Sequence, residues 1–82
     1  MTSWLIEAYA PGSTNVSEVE LRARDAAAEL TQAGTPIRYL RTIFVREDET
    51  CFHVFEALSA ETVRQVAERA RLSAQRIVEA EP

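Results

Sequence analysis

The sequence is poor in the residues from which many sites are built: it has one cysteine, one histidine, two glycines and no lysine. A single cysteine excludes a disulfide within the chain, and a single histidine excludes any site that needs two from one chain. The sequence also contains no glycine-rich phosphate loop, HExxH, CxxC or serine in a nucleophile elbow. The commonest enzyme and nucleotide-binding signatures are therefore absent.

The charge balance and the lack of long apolar runs limit the partners. All nine basic residues are arginines, and thirteen carboxylates leave a net charge of -4. An acidic chain without a clustered basic face lacks the attraction that dominates binding to phosphate backbones and to anionic membranes. No apolar run approaches the ~20 residues that span a bilayer, and the N-terminus does not show a secretory pattern. We expect no nucleic-acid partner, no membrane and a reducing cytoplasm.

The length predicts one small domain over residues 1–82. A chain of 82 residues buries only about 60 to 65% of the surface that it exposes when unfolded. Its own core is therefore thin, and we expect a partner surface to add to it.

The apolar periodicity alternates between strand and helix. Strands are predicted at residues 3–10, 37–46, 50–58 and 75–81. A first helix is predicted at residues 18–33, with Ser17 as its N-cap, Glu20 completing a capping box and Gly34 as a left-handed end. A second helix is predicted to open at Ser59 or Ala60. The order predicts an α+β, ferredoxin-like βαββαβ sandwich: a four-stranded antiparallel sheet of order 4-1-3-2 with both helices on one face.

That architecture leaves one face of the sheet without helices. Strict alternation on the first strand puts Trp4, Ile6 and Ala8 toward the helices. On the second strand it favours Leu40 and Phe44 for the core. A mixed apolar and polar patch of this kind rarely stays uncovered in a monomer. We expect a contact between two copies on the open face, made by Leu5, Tyr9, Tyr39, Arg41 and Ile43.

The third strand carries the only cysteine and the only histidine. Cys51 and His53 are two residues apart and therefore share a face of the strand. If that is the open face, Glu7 of the neighbouring first strand lies beside them, and a carboxylate, an imidazole and a thiolate converge on a site for a transition metal. Two alternatives remain: Cys51 and His53 simply pack in the sheet, or Phe52, Val54 and Glu56 face outward and the three do not meet.

Several short segments follow one recognisable pattern: Pro11-Gly12, IRYLR at 37–41, EDETCF at 47–52, FEA at 55–57, AERA at 67–70 and RIVE at 76–79. Together they resemble a small bacterial family of single-domain proteins of unknown function, one branch of which is named as nickel-binding proteins. The resemblance covers most of the chain.

The resemblance implies a ferredoxin-like homodimer that binds nickel or another divalent ion through polar side chains. Glu7 falls where the family's first strand tends to carry glutamate, and His53 falls where many members have cysteine. Zinc or copper would suit Cys, His and Glu equally well. The second helix ends in Ala70-Arg71-Leu72-Ser73, where the family usually has glycine and proline, so we expect it to end without the usual left-handed cap.

We therefore predict a small dimeric protein that binds a divalent transition metal, nickel by resemblance, through Glu7, His53 and Cys51; a binding protein is favoured over an enzyme, and an enzyme stays open. One alternative is a dimeric α/β-barrel type of small-molecule binder or cofactor-independent enzyme, in which two open faces enclose a cavity and His53 or Tyr9 acts on the ligand. Another is a structural or regulatory module that binds a second protein.

Overall fold

The computed structural model describes residues 1–81. Four strands form one antiparallel sheet in the order β2-β3-β1-β4, which is the predicted order 4-1-3-2 in reverse. The ferredoxin-like prediction is confirmed. Neither helix in this part of the chain is long and apolar enough to cross a membrane. The elements are β1 Thr2–Tyr9, α1 Val16–Gln32, β2 Ile37–Val45, a 3-10 turn Arg46–Asp48, β3 Thr50–Ala57, α2 Ala60–Arg69 and β4 Ser73–Ala80.

The N-cap of helix α1 lies two residues before the predicted one. Asn15 is the N-cap, in extended conformation, and its side chain accepts a hydrogen bond from the Glu18 amide. The predicted cap Ser17 lies inside the helix. Both positions are followed three residues later by glutamate, so the capping pattern alone did not separate them.

Both helices end in the same left-handed motif. After α1, Gly34 has φ 100°, and the Gly34 and Thr35 amides donate to carbonyls of the last turn. After α2, Arg71 has φ 56°, and the Arg71 and Leu72 amides make the equivalent bonds to Glu68 and Ala67. The expectation that α2 lacks a left-handed cap was wrong, because an arginine takes the conformation that usually belongs to glycine.

The core lies between the sheet and the two helices. Its largest members are Phe55 and Ile6 from the central strands, with Val63 and Val66 from α2. Helix α1 contributes mostly alanines, which keep it close to the sheet. The predicted core face of β1 is confirmed, with Trp4 packed at its margin.

Strand β3 turns its cysteine and histidine toward the helices. The buried residues alternate as Cys51, His53, Phe55 and Ala57, and His53 pairs with the core residue Ile6 of β1. Glu7 instead pairs with Phe52, on the opposite face of the sheet. The expectation that Glu7, Cys51 and His53 share the open face was therefore wrong. The physical reason is that Phe55 and Ala57 complete the core, and they have the parity of His53.

An irregularity in β2 moves Tyr39 to the helix side. The pairing register shifts between Tyr39 and Arg41, so that Tyr39 pairs with Phe55 and Arg41 with Val54. The Tyr39 ring packs edge-on against Phe55, with 5.5 Å between centroids. Placing Tyr39 on the open face was wrong, because a bulge in the strand interrupts the alternation of side chains.

The open face is apolar along its centre. Val54 of β3, Leu5 of β1 and Val78 of β4 are cross-strand neighbours in one row, with Arg41 of β2 at the end. The next row contains Ile43, Phe52, Glu7 and Arg76. Tyr9 and Ile43 are each 49% exposed. The pairing register places four of the predicted contact residues on the open face: Leu5, Tyr9, Arg41 and Ile43.

Candidate functional site

A cavity of about 230 Å³ lies between the sheet and the N-terminal half of α1. It is bounded by the end of β1, by the first turns of α1, by β3 and by the turn between α2 and β4. Its polar and ionisable lining residues include Asn15, Glu18, Arg22, Cys51, His53 and Arg71.

His53 is the polar centre of this cavity wall. Its side chain is fully buried, and its Nδ1 lies 2.7 Å from the Thr42 hydroxyl on β2. That hydroxyl is in turn 2.8 Å from the Tyr39 hydroxyl. Among the described residues, Nε2 of His53 is the one buried side-chain nitrogen or oxygen without a hydrogen-bond partner.

The position of Nδ1 defines the direction of Nε2. Because Nδ1 is turned to Thr42 on β2, the Nε2 edge of the ring is turned away from β2. The cavity wall beyond His53 comes from β1, α1 and the start of β4, on that other side. An unpaired buried nitrogen is costly to leave without a partner, so a ligand in the cavity would satisfy it.

The imidazole is held in its neutral form. Burial, and secondarily the positive charge of Arg22, lower the pKa of His53 from its ordinary 6.5 to about 4. The hydroxyl chain accommodates either tautomer: Thr42 can donate to Nδ1, or accept from Nδ1–H and donate to Tyr39. In the second arrangement Nε2 carries a free lone pair.

Cys51 lies one pleat from His53 on the same face. It is almost completely buried, and burial, followed by the charge of Glu20, raises the pKa of its thiol. Residues at i and i+2 of a strand have Cα atoms about 6.5 to 7 Å apart, a separation compatible with binding one metal ion. The thiol is therefore protonated at neutral pH.

Arg22 and Arg71 also line the cavity. Arg22 Nε donates a 3.0 Å hydrogen bond to the Ala70 carbonyl at the end of α2. Although Glu18 lies four residues before Arg22 on α1, the two form no ion pair within 4 Å in the described structure. Arg71, the residue after Ala70, has a left-handed backbone conformation and also lines the cavity.

Glu7 takes no part in this cavity. It lies on the open face, opposite Phe52 on one side and Arg76 on the other. Across residues 1–81, no group of three His, Cys, Asp or Glu side chains is arranged to hold an ion. The structure thus brings together Cys51 and His53 and separates Glu7 from them. It also removes His53 from the open face, so that, of the two residues named for the barrel-type alternative, Tyr9 is left.

The sequence pattern did not identify Thr42, Arg22 or Arg71 as site residues. Thr42 is one of many hydroxyls, and the two arginines resemble ordinary surface residues. One signal for Arg71 was present. It occupies the position directly after α2, where the backbone is left-handed and glycine is usual.

Comparison with known proteins gives one family and one fold match. Residues 4–80 match the family model described as "Nickel responsive protein SCO4226-like". The crystal structure of SCO4226 from Streptomyces coelicolor A3(2) is similar, with a TM-score of 0.73 and 21% identity over 98% of this chain and 96% of that one. At this identity the likeness shows the fold. A search of curated proteins finds no match.

Proposed function

This chain belongs to the nickel responsive SCO4226-like family, and we propose that it binds a divalent transition metal, nickel, in the cavity beside α1. His53 contributes the Nε2 lone pair and Cys51 the sulfur. The remaining coordination positions are filled by groups that are not side chains of this part of the chain.

The observation that carries this proposal is the unpaired Nε2 of His53. A neutral imidazole whose other nitrogen is hydrogen-bonded to a fixed group is the usual form of a metal-binding histidine. Here Thr42 is that group, at 2.7 Å from Nδ1. Because the pKa of His53 is lowered to about 4, no proton has to leave the ring at neutral pH.

The donor set suits a divalent transition metal. Imidazole nitrogen suits nickel, copper and zinc, and thiolate suits copper and zinc, so the choice of nickel rests on the description of the family. When bound, the cation would hold Cys51 as a thiolate despite its burial. The chain's own residues bind and orient: Thr42 fixes the ring, and the sheet keeps both donors on one face.

The test is equilibrium dialysis of tag-free protein against nickel in a buffer that does not chelate. We expect saturable binding by the wild type. We expect His53→Gln and Cys51→Ala to weaken it at least tenfold, because each removes one of two protein donors. Glu7→Gln is the matched control on the opposite face and should bind as the wild type does.

Two results would count against this site. If Glu7→Gln weakens binding and His53→Gln does not, the ion binds on the open face. If no variant differs from the wild type and binding stays weak, the cavity is not a metal site.

We also propose that a second copy of the chain covers the open face. The central row of Leu5, Val54 and Val78 is apolar, while Glu7 and Arg76 on the same face supply charges of both signs. A surface with acidic and basic groups around an apolar centre can pair with itself across a twofold axis. The metal cavity lies on the other side of the sheet, so pairing would leave it accessible.

A further inference from the structure

We propose that the cavity takes the metal together with a small organic carboxylate, which the guanidinium groups of Arg71 and Arg22 hold beside His53 and Cys51. This inference rests on the proposed function, since the carboxylate is placed as a co-ligand of the same ion. It identifies the groups that complete the coordination.

The charge of the cavity wall is the first support. Two guanidinium groups face one carboxylate, that of Glu18. The N-terminus of the 17-residue helix α1, capped by Asn15, adds the positive end of its dipole. These groups weaken the binding of a bare dication, whereas they attract an ion that already carries a carboxylate.

The guanidinium groups have donors to offer. Arg22 uses Nε for the Ala70 carbonyl, and in the described structure its two terminal nitrogens have no hydrogen bond or ion pair. Arg71 likewise has no ion pair among the described residues. A planar guanidinium binds a carboxylate through two parallel hydrogen bonds, which makes arginine well suited to this ligand.

The buried Nε2 of His53 points independently to a ligand. It lacks a partner in a cavity whose volume, about 230 Å³, falls below the roughly 300 to 1,000 Å³ of pockets that enclose drug-sized molecules. An ion with a small di- or tricarboxylate is an occupant of suitable size. With no third His, Cys, Asp or Glu ligand in the described residues, carboxylate oxygens would fill positions that the protein leaves open.

The backbone of Arg71 is in a strained conformation. It adopts φ 56° directly after α2, a conformation that glycine takes without strain. A charged side chain in that position, at the wall of the cavity, is consistent with a role in ligand binding.

The test uses citrate as the carboxylate and asks whether it raises or lowers the amount of nickel that the protein retains. At fixed total nickel, a chelator that only competes must lower the nickel retained by the protein in equilibrium dialysis. A carboxylate that the guanidinium groups hold beside the ion should raise it, because the protein then binds the nickel–carboxylate complex more tightly than nickel alone. We expect equimolar citrate to raise retained nickel at least threefold, and ethylenediamine, a chelator without carboxylates, to lower it.

Substitutions assign the effect to the cavity. We expect Arg71→Gln to lose the rise with citrate and Arg71→Lys to regain part of it. Arg64→Gln removes one positive charge from an exposed position on α2 and should keep the full rise. Circular dichroism of each variant confirms that it is folded.

The outcomes separate this inference from the function on which it rests. If nickel binds in a His53-dependent way and citrate lowers its retention as ethylenediamine does, the co-ligand is refuted and the metal site stands. If citrate raises retention equally in Arg71→Gln, the carboxylate is not held in this cavity. If no nickel is retained with or without citrate, both proposals fail.

Discussion

The Thr42 hydroxyl lies 2.7 Å from Nδ1 of His53, and this contact between β2 and β3 leaves Nε2 as the free edge of the ring. The unbroken pairing of β2 and β3 from the turn up to Arg41 places Thr42 directly opposite His53. Its hydroxyl therefore orients the histidine, with Nε2 turned away from β2.

Replacing Thr42 with valine tests that orientation. The change keeps the shape of the side chain but leaves Nδ1 without its partner, so we expect a loss of about 1 to 3 kcal/mol in the free energy of unfolding. We also expect nickel affinity to fall about tenfold or more, as when other outer partners of metal-binding histidines are removed. Urea unfolding and nickel dialysis measure the two effects. Thr50→Val, whose hydroxyl bonds only the exposed Asp48 carbonyl, is the control and should leave nickel binding unchanged.

The metal-free protein should lose stability in mild acid because of His53. The pKa of His53 is about 4 in the folded chain, with burial as the main cause and Arg22 as the second, against about 6.5 in the unfolded chain. Between these values the unfolded chain binds a proton and the folded chain does not. Stability is therefore complete above pH 6.5 and declines as the pH falls toward 4.

The expected decline is about 2 kcal/mol between pH 7 and pH 5, from about 1.4 kcal/mol per pH unit below 6.5. Urea unfolding at each pH measures it. In His53→Gln the slope over this range should nearly vanish, leaving only the contribution of the carboxylates. An equal slope in both proteins would show that the folded protein protonates His53 without penalty.

Arg71→Gly should stabilise the protein while impairing the cavity. Removing a side chain from the left-handed conformation relieves about 1 kcal/mol of strain, which corresponds to roughly 4 to 8 °C in the melting temperature of a domain of this size. Arg71→Ala keeps the strain and loses the charge, so it should not share the gain. Thermal unfolding of both variants decides this, and equal melting temperatures would mean that position 71 is not strained.

Ile43→Asp should separate the proposed dimer. Ile43 is on the open face and 49% exposed, so a charge there disturbs the monomer little but opposes burial against a second copy. Light scattering after gel filtration should give twice the chain mass for the wild type and the chain mass for Ile43→Asp. Leu58→Asp changes a residue that is 69% exposed outside the sheet and should remain dimeric. A monomeric wild type would refute the dimer.

The sequence predicted the order of elements because that order depends on local signals. Helix α1 has a regular apolar stripe, and Pro11-Gly12 and Gly34-Thr35-Pro36 interrupt the pattern where the chain turns. These signals identify elements whatever lies across the sheet. The boundaries differ from those predicted by at most two residues, as frayed ends and competing caps usually allow.

The orientation of β3 was beyond local signals because both of its faces are partly apolar. Phe52 and Val54 alternate with Cys51, His53 and Phe55, so periodicity of two does not show which set is buried. The core accepts His53 because Thr42, its cross-strand partner on β2, supplies its hydrogen bond.

The cavity was also unpredictable for a physical reason. Its wall joins residues that are distant in sequence, such as Arg22 on α1 and Arg71 after α2, which the fold alone brings together. Glu18 lies four residues before Arg22 on the same helix, but Arg22 reaches instead to the carbonyl that ends α2. The tertiary contact replaced the local one.

The most direct test of the metal site is X-ray absorption at the nickel edge of the protein loaded with one equivalent of nickel. With Cys51 and His53 as the two protein donors, we expect one sulfur scatterer and the multiple scattering of one imidazole in the wild type. The sulfur should vanish in Cys51→Ser, and the imidazole in His53→Gln. A wild-type spectrum with oxygen ligands only, unchanged in both variants, would contradict the assignment of the ion to this cavity.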